Sequence, residues 1–377
     1  MASLLALVHR IDDATPPDRD RALDGLRALA IAGVVLGHWL VTALVATGHT
    51  VRSGSPLRAV PELAPVSWVF QTLAVFFLVG GLVNARRSGP YGAWVRARMA
   101  RLTRPVAALA AVWAVAAGAM FVSGAELETV RTLGGLVVSP LWFLLVFALL
   151  TAATPLLSRL HPAWPPVAVA CVDLVRHGLG GPSWVGWANV VAGWLVPYCL
   201  GLAWGRRGLP RDSTGWALLA GGGLAAIGLV AWGGYPAAMV GVPGAPMSNL
   251  DPPTLAAVAF GLAQCGAAAL LAGPLRRLLA RPVMWAAVAA VNLSAMTVFL
   301  WHQTAMIAVT VAGLRAGGHL PGLHTVPDGL GWVAARLAWL PVFAVVLALC
   351  CLLFRTYERS PAGGPRRRIG PDCGASN

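Results

Sequence analysis

One stretch of the chain concentrates residue types that can do chemistry. It runs from Asp24-Gly25-Leu26-Arg27 to Gly37-His38-Trp39, and residues 28–36 between them are apolar. Arg27 and His38 are eleven positions apart, which on a helix is about 20° in direction and roughly 16 Å along the axis. Both therefore project from one face. An ionisable side chain inside an apolar span is costly to bury and is a functional candidate by default. The competing reading is a histidine hydrogen-bonded to a neighbouring helix for packing. Imidazole exchanges a proton near neutrality, so His38 suits a general base. The Arg27 guanidinium suits an anion or a developing negative charge. Asp24, three residues before Arg27, is placed to pair with it, as any surface carboxylate at that spacing would be.

Other candidates are more dispersed. Arg98, Arg101 and Arg104 recur at three-residue steps and would form a cationic stripe suited to phosphate, although basic loops also arise from topology alone. His302 follows Trp301, with Asn292 and Ser294 upstream; Ser294 lies about 80° away from it on a helix. His302 is expected to line the outer half of a cavity, or to pack beside Trp301. Asn249 sits with Ser248 and Asp251 in a long Gly/Pro-rich stretch, 232–254, that could cover a site entrance or merely connect two spans. Trp142 and Glu358 are held as supporting residues, Glu358 with a local ion pair to Arg355 or Arg359 as its plain alternative. None of the six Cys forms a CxxC pair with His partners, so no metal site is expected.

The elements that must position these residues follow from composition. Of 377 residues 58% are hydrophobic and only 11% charged, with mean hydropathy +0.71. Soluble domains carry about 25% charged residues, so an ordinary water-soluble fold is excluded. Long apolar runs near 27–46, 66–84, 105–122, 133–157, 164–175, 186–204, 215–232, 254–273, 286–312 and 330–354 point to an all-α polytopic membrane protein with about ten transmembrane helices. The run at 164–175 is the weakest. Keeping it places both termini in the cytoplasm and leaves only Arg52, Arg58, Arg131, Arg176, Arg315 and Arg336 on the outer side, as the positive-inside rule expects. The net charge of +14 is carried by Arg alone, between apolar runs rather than on a soluble basic face, which argues against nucleic acid as a partner. Residues 1–26 read as a cytoplasmic lead-in, 27–357 as one transmembrane domain and 358–377 as a disordered cytoplasmic tail. No internal repeat stands out, and no matched pair of Gly/Pro-broken segments of the kind transporters carry.

Several segments together resemble one family. LDGLRALAIAGVVLGHW is similar to the opening helix of the membrane-bound acyltransferase-3 family, with its Arg, ten intervening residues and a His. LAVFFLVGGLVNARR followed by WVRARMARLTRPV looks like the family's second helix and basic loop. PLWFLLVFALLTAATPLL resembles its Trp-Phe-Leu helix, NLSAMTVFLWHQ its Ser…Leu-Trp-His helix, and RTYERS its closing Glu. The likeness runs from about 20 to 360. It departs at Thr151, where an aromatic residue is often found, and after Glu358, which is not followed at once by Pro.

The resemblance implies an integral-membrane O-acyltransferase in the cell membrane. It would move an acyl group, often acetyl, from cytoplasmic acyl-CoA to a hydroxyl of a glycan, glycolipid or secondary metabolite of the cell envelope. Acyl-CoA is then a co-substrate, with no permanently bound cofactor; the partners are acyl-CoA, the hydroxyl-bearing acceptor and membrane lipids. His38 becomes the base or a transient acyl carrier. Arg27 would steady the donor, and Arg98, Arg101 and Arg104 would meet the coenzyme A phosphates. This reading expects Arg27 and His38 to face one shared hollow. The alternative is a transporter or flippase of a lipid-linked or polysaccharide substrate, which needs no in-phase Arg/His pair.

Overall fold

The computed structural model describes residues 2–48, 50–317 and 319–358. Helix α1 (Ala2–Asp13) precedes α2 (Arg21–Val41), after which a hairpin of β1 (Ala43–Thr47) and β2 (Thr50–Gly54) pairs antiparallel. There follow α3 (Pro56–Ala59), α4 (Val66–Phe70), α5 (Leu73–Ala85), α6 (Tyr91–Val122), α7 (Leu127–Val138), α8 (Leu141–Ala152), α9 (Thr154–Leu157) and α10 (Trp164–Asp173). The chain closes with α11 (Asn189–Arg207), α12 (Asp212–Trp232), α13 (Leu255–Leu278), α14 (Pro282–Leu293), α15 (Ala295–Arg315) and α16 (Leu330–Phe354).

The fold is all-α and polytopic, with two differences from the expected spans. Among the described residues nine helices are long and apolar enough to cross a membrane, rather than ten. The weak tenth, α10, has ten residues and continues as five π-helical ones, short of the roughly 20 a span needs. Its contacts show that it still runs the length of a neighbouring helix. Ser158, before it, receives a hydrogen bond from Arg206 at one end of α11 (2.6 Å), while Asp173 accepts one from Asn189 at the other (2.9 Å). The segment thus covers the height of α11 with few helical residues. Asp173 also accepts from Tyr235 Oη (3.0 Å) and the Leu255 amide (2.6 Å). Burial, together with that carboxylate, raises the Tyr235 phenol above its ordinary pKa.

The lead-in is the second difference. It is helical over α1, and α2 begins at Arg21 rather than at 27, because Ala22, Leu23 and Leu26 are already buried. Trp285 of α14 donates to Thr15 (2.7 Å), pinning the lead-in to the bundle. The expected disordered tail lies outside the described residues, apart from Glu358 at the end of the turn Arg355–Glu358.

Burial separates inner from outer helices. About 61% of the apolar window of α2, α13 and α15 is buried, against 11% for α6 and α16, so the first three form the centre. Where helices must approach closely the sequence supplies small residues, as lipid-embedded packing requires. Gly81 and Ala85 of α5 meet Gly201 and Gly205 of α11, and a Cβ on Gly201 would strike the Leu78 carbonyl oxygen. Backbone cannot yield as a side chain can. Gly201→Val is therefore expected to destabilise the protein by about 3 kcal/mol or more, read as a lower midpoint in thermal unfolding of the detergent-solubilised protein.

Three passes are interrupted rather than continuous. The helical hydrogen-bond pattern is interrupted at Gln71–Thr72 between α4 and α5, at Ser139–Pro140 between α7 and α8, and at Ser294 between α14 and α15; the backbone leaves helical dihedrals at the first and third of these and keeps them at Ser139–Pro140. Only the Ser139–Pro140 break carries a proline at the break itself.

Candidate active site

His38 lies in the last turn of α2, near the hairpin end of the bundle rather than deep within it. Its Nδ1 is 3.0 Å from the Val34 carbonyl oxygen and 3.2 Å from Nε2 of His302, and the two rings are 5.0 Å apart at 41°. Hydrogen-bond logic assigns the tautomers. His302 Nδ1 faces the Phe299 carbonyl at 2.5 Å, and a carbonyl only accepts, so Nδ1 carries the proton. Neutral His302 then has a lone pair on Nε2, which accepts from the Nδ1–H of His38 together with the nearer Val34 carbonyl. That leaves the lone pair of His38 on Nε2, which makes no hydrogen bond among the described residues. The pair is an oriented base: His302 holds the ring, and Nε2 of His38 is available for a substrate proton.

His38 forms part of the wall of a cavity of about 840 Å³. Ser53 and Gly54 of the hairpin and Val240, Ser248 and Asp251 of the 232–254 loop roof it. The helix breaks at Gln71–Thr72 and Ser139–Pro140 also border it, with Trp142, Phe143 and Gln303. Gly33 and Gly37 let the first break approach: a Cβ on Gly33 would run into the Thr72 side chain, whose hydroxyl donates to the Ala30 carbonyl (2.7 Å).

Arg27 lies at the other end of the same face. Its Nε donates to Asn292 Oδ1 (2.5 Å) and its terminal nitrogen pairs with Asp24 (3.4 Å). Asp24 is held more closely by Arg19 (2.6 Å), and Asn292 returns a bond to the Asp24 carbonyl (2.9 Å). The expectation of one shared hollow is not met. Arg27 does not border the His38 cavity: Val34 is on its wall, and buried Ile31 occupies the face between Val34 and Arg27.

The other expected residues divide in the same way. Trp142 borders the cavity, whereas His302 is completely buried behind His38 instead of facing an acceptor. Asn249 is also fully buried and ties its own loop together, donating to the Pro236 and Ala238 carbonyls and accepting from Thr254. Ser294 occupies the α14–α15 break, away from the cavity wall. The stripe on α6 splits: Arg98 is half-buried within electrostatic reach of Tyr198, while Arg101 and Arg104 are exposed. Tyr198 accepts from Asn84 (2.9 Å), whose amide also reaches Thr151 (3.2 Å). Glu358 closes the last helical turn, and its side chain lies outside the described residues.

Two residues went unnoticed in the sequence. Arg336 is expected as an outer-side topology charge but is completely buried. It donates to the carbonyls of Trp39 (2.6 Å), Thr42 (2.6 Å) and Gly322 (2.9 Å), and packs on the Trp332 and Phe343 rings. Two of those carbonyls belong to the end of α2, where the helix has no N–H donors of its own left to satisfy them. Arg336 thus fixes the turn that carries His38. Trp39 Nε1 adds a bond to the His302 carbonyl (2.9 Å), locking α2 to α15 at the same level. Gln303, on the cavity wall, is the second. Its position directly after His302 was the one available signal.

A family model described as an acyltransferase domain, that of the acyltransferase-3 family, matches residues 20–355. No curated protein and no solved structure matches the chain. The match spans most of the chain, which belongs to this family and is a multi-pass membrane acyltransferase.

Proposed function

We propose that the chain is an O-acyltransferase of the cell membrane. It moves an acyl group, acetyl as the leading case, from cytoplasmic acyl-CoA to a hydroxyl of a glycan, glycolipid or secondary metabolite. Both termini then lie in the cytoplasm, and the His38 cavity faces outward. The single observation that carries this reading is the oriented His38–His302 pair on the wall of a loop-roofed cavity. The acceptor hydroxyl gives its proton to His38 Nε2 as its oxygen attacks the thioester carbonyl carbon. A C–O bond forms, the C–S bond breaks, and His38 returns the proton to the departing thiolate. Ester and free CoA thiol result, with the base regenerated. Direct attack by Nε2 is the other use of the same lone pair, and a trapped acyl-protein would distinguish it.

The donor approaches from the Arg27 end, where Arg98, Arg101 and Arg104 meet its phosphates. Its thioester must pass Ile31 and Val34 to reach His38. Arg27 stands at the start of that path and grips Asn292 and Asp24 with different nitrogens of one planar fork. A lysine offers a point charge and cannot keep both. Arg27→Lys is expected to lower acyl transfer by about tenfold or more, chiefly through KM for acyl-CoA; unchanged kinetics would refute the role.

The reading is tested with the purified protein in lipid nanodiscs and isotopically labelled acetyl-CoA. Label should appear in an ester, with stoichiometric release of CoA. A second reading, transport without chemistry, is favoured by the two helix breaks on the cavity wall. Movement of a lipid-linked substrate across proteoliposomes with no labelled ester would establish it instead.

A further inference from the structure

The make-up of the His38 cavity bears on what enters it. Among the described residues Asp251, on the roof, is the one carboxylate or guanidinium on its wall, and the floor is built from Leu73, Leu136, Phe143, Leu145, Val190 and Phe299. A free sugar carries a hydroxyl on nearly every carbon, and each would lose water against that floor without gaining a partner. The cavity is also open at its flank. Leu145 borders it and is 63% exposed, although it lies within the apolar pass Leu127–Ala152; Trp187 is 60% exposed beside it. At that depth the surroundings are lipid, not water.

Thr42, Ser53, Gln71, Thr72, Ser139 and Ser248 add hydroxyls and an amide to the wall, and among these polar side chains Gln303 stands apart. It is 1% exposed, borders the cavity, and its Oε1 accepts no hydrogen bond among the described residues. The preceding residue orients His38. An acceptor hydroxyl has one proton, which must go to His38 Nε2, so Gln303 Oε1 requires a second donor on the same molecule.

We propose that the cavity takes an amphipathic polyol from the bilayer. Its apolar body enters past Leu145 and lies along Phe143; its head presents two hydrogen-bond donors, a reacting hydroxyl to His38 and a neighbouring one to Gln303. This rests on His38 acting as the base, and it narrows the acceptor to a lipid-like molecule with a hydroxylated head. Chemistry follows the same balance as above, with the acyl thioester as co-substrate.

The experiment uses the full chain in nanodiscs and a photoreactive decyl glucoside carrying a diazirine on its alkyl chain. Adducts are mapped by peptide mass spectrometry, and the specific fraction is that removed by excess unlabelled decyl glucoside. Specific adducts are expected within 138–145 or 299–303, with glucose failing to compete. Gln303→Leu should weaken competition by about tenfold, as loss of one buried hydrogen bond implies. Leu145→Trp, which fills the flank opening, should reduce labelling without touching Gln303. Specific adducts absent from both segments, or glucose competing as well as decyl glucoside, would overturn the proposal. Parallel assays with labelled acetyl-CoA separate the two levels. Transfer to glucose as fast as to decyl glucoside removes the lipid-like acceptor but leaves the enzyme. Specific labelling without any transfer leaves the site and removes the enzymatic reading.

Discussion

Replacing Arg336 by methionine should lower the thermal midpoint by roughly 5 °C and cut acyl transfer at least tenfold. Two effects oppose each other. Deleting a buried ion removes a charge whose desolvation is expensive, and apolar replacements of buried ions are often neutral or better. Here, however, no carboxylate pairs with Arg336 among the described residues; its partners are three carbonyl oxygens and the Met306 thioether sulfur. Each orphaned carbonyl costs about 1–3 kcal/mol, and two of them sit at the negative end of the α2 dipole. The carbonyls win, by about 3 kcal/mol or more in total. Because those two belong to the turn bearing His38, kcat should fall while KM for acyl-CoA stays put, since the donor binds at the opposite end. Arg336→Lys should lie between, keeping the charge but not the reach of the fork.

Loss of the base is expected to have the larger catalytic effect. His38→Ala should reduce acyl transfer by about 10²- to 10⁴-fold, the usual contribution of a positioned general base. His302→Gln tests whether the second imidazole works through the first. If it fixes the His38 tautomer, transfer should fall about tenfold or more, and the double variant should be no worse than His38→Ala alone, as for residues that act as a unit. If His302 only packs, the single variant would lose stability with its turnover per folded molecule intact.

The spans and the shared face of Arg27 and His38 were legible because both depend on local regularities, hydropathy over about 20 residues and 100° per residue. The 232–254 loop stood out by its length and Gly/Pro content, but the sequence left cover and plain connector as alternatives; that it borders the His38 cavity is seen only in the structure. What neighbouring helices present was not. Arg336 looks like a loop charge in the sequence, and its clamp on Trp39 joins residues 297 positions apart. Likewise, nothing local says that His302 turns its Nε2 toward His38, or that Ile31 closes the face between Arg27 and the cavity wall at Val34. The break at Gln71–Thr72 carries no proline or glycine at the break; it is held by contacts with α2 and by Gln264, whose amide donates to the Gln71 carbonyl. Helix α10 was legible as weak, but its passage depends on Asp173 finding Asn189, Tyr235 and Leu255.

The central claim is that the Nε2 lone pair of His38 removes the proton from the acceptor hydroxyl. The most direct measurement is acyl transfer by purified His38→Ala protein with and without added imidazole, which can occupy the space the ring vacates. Transfer should be negligible without imidazole and should rise with its concentration toward a plateau. Transfer by the unsupplemented variant at the wild-type rate would contradict the claim.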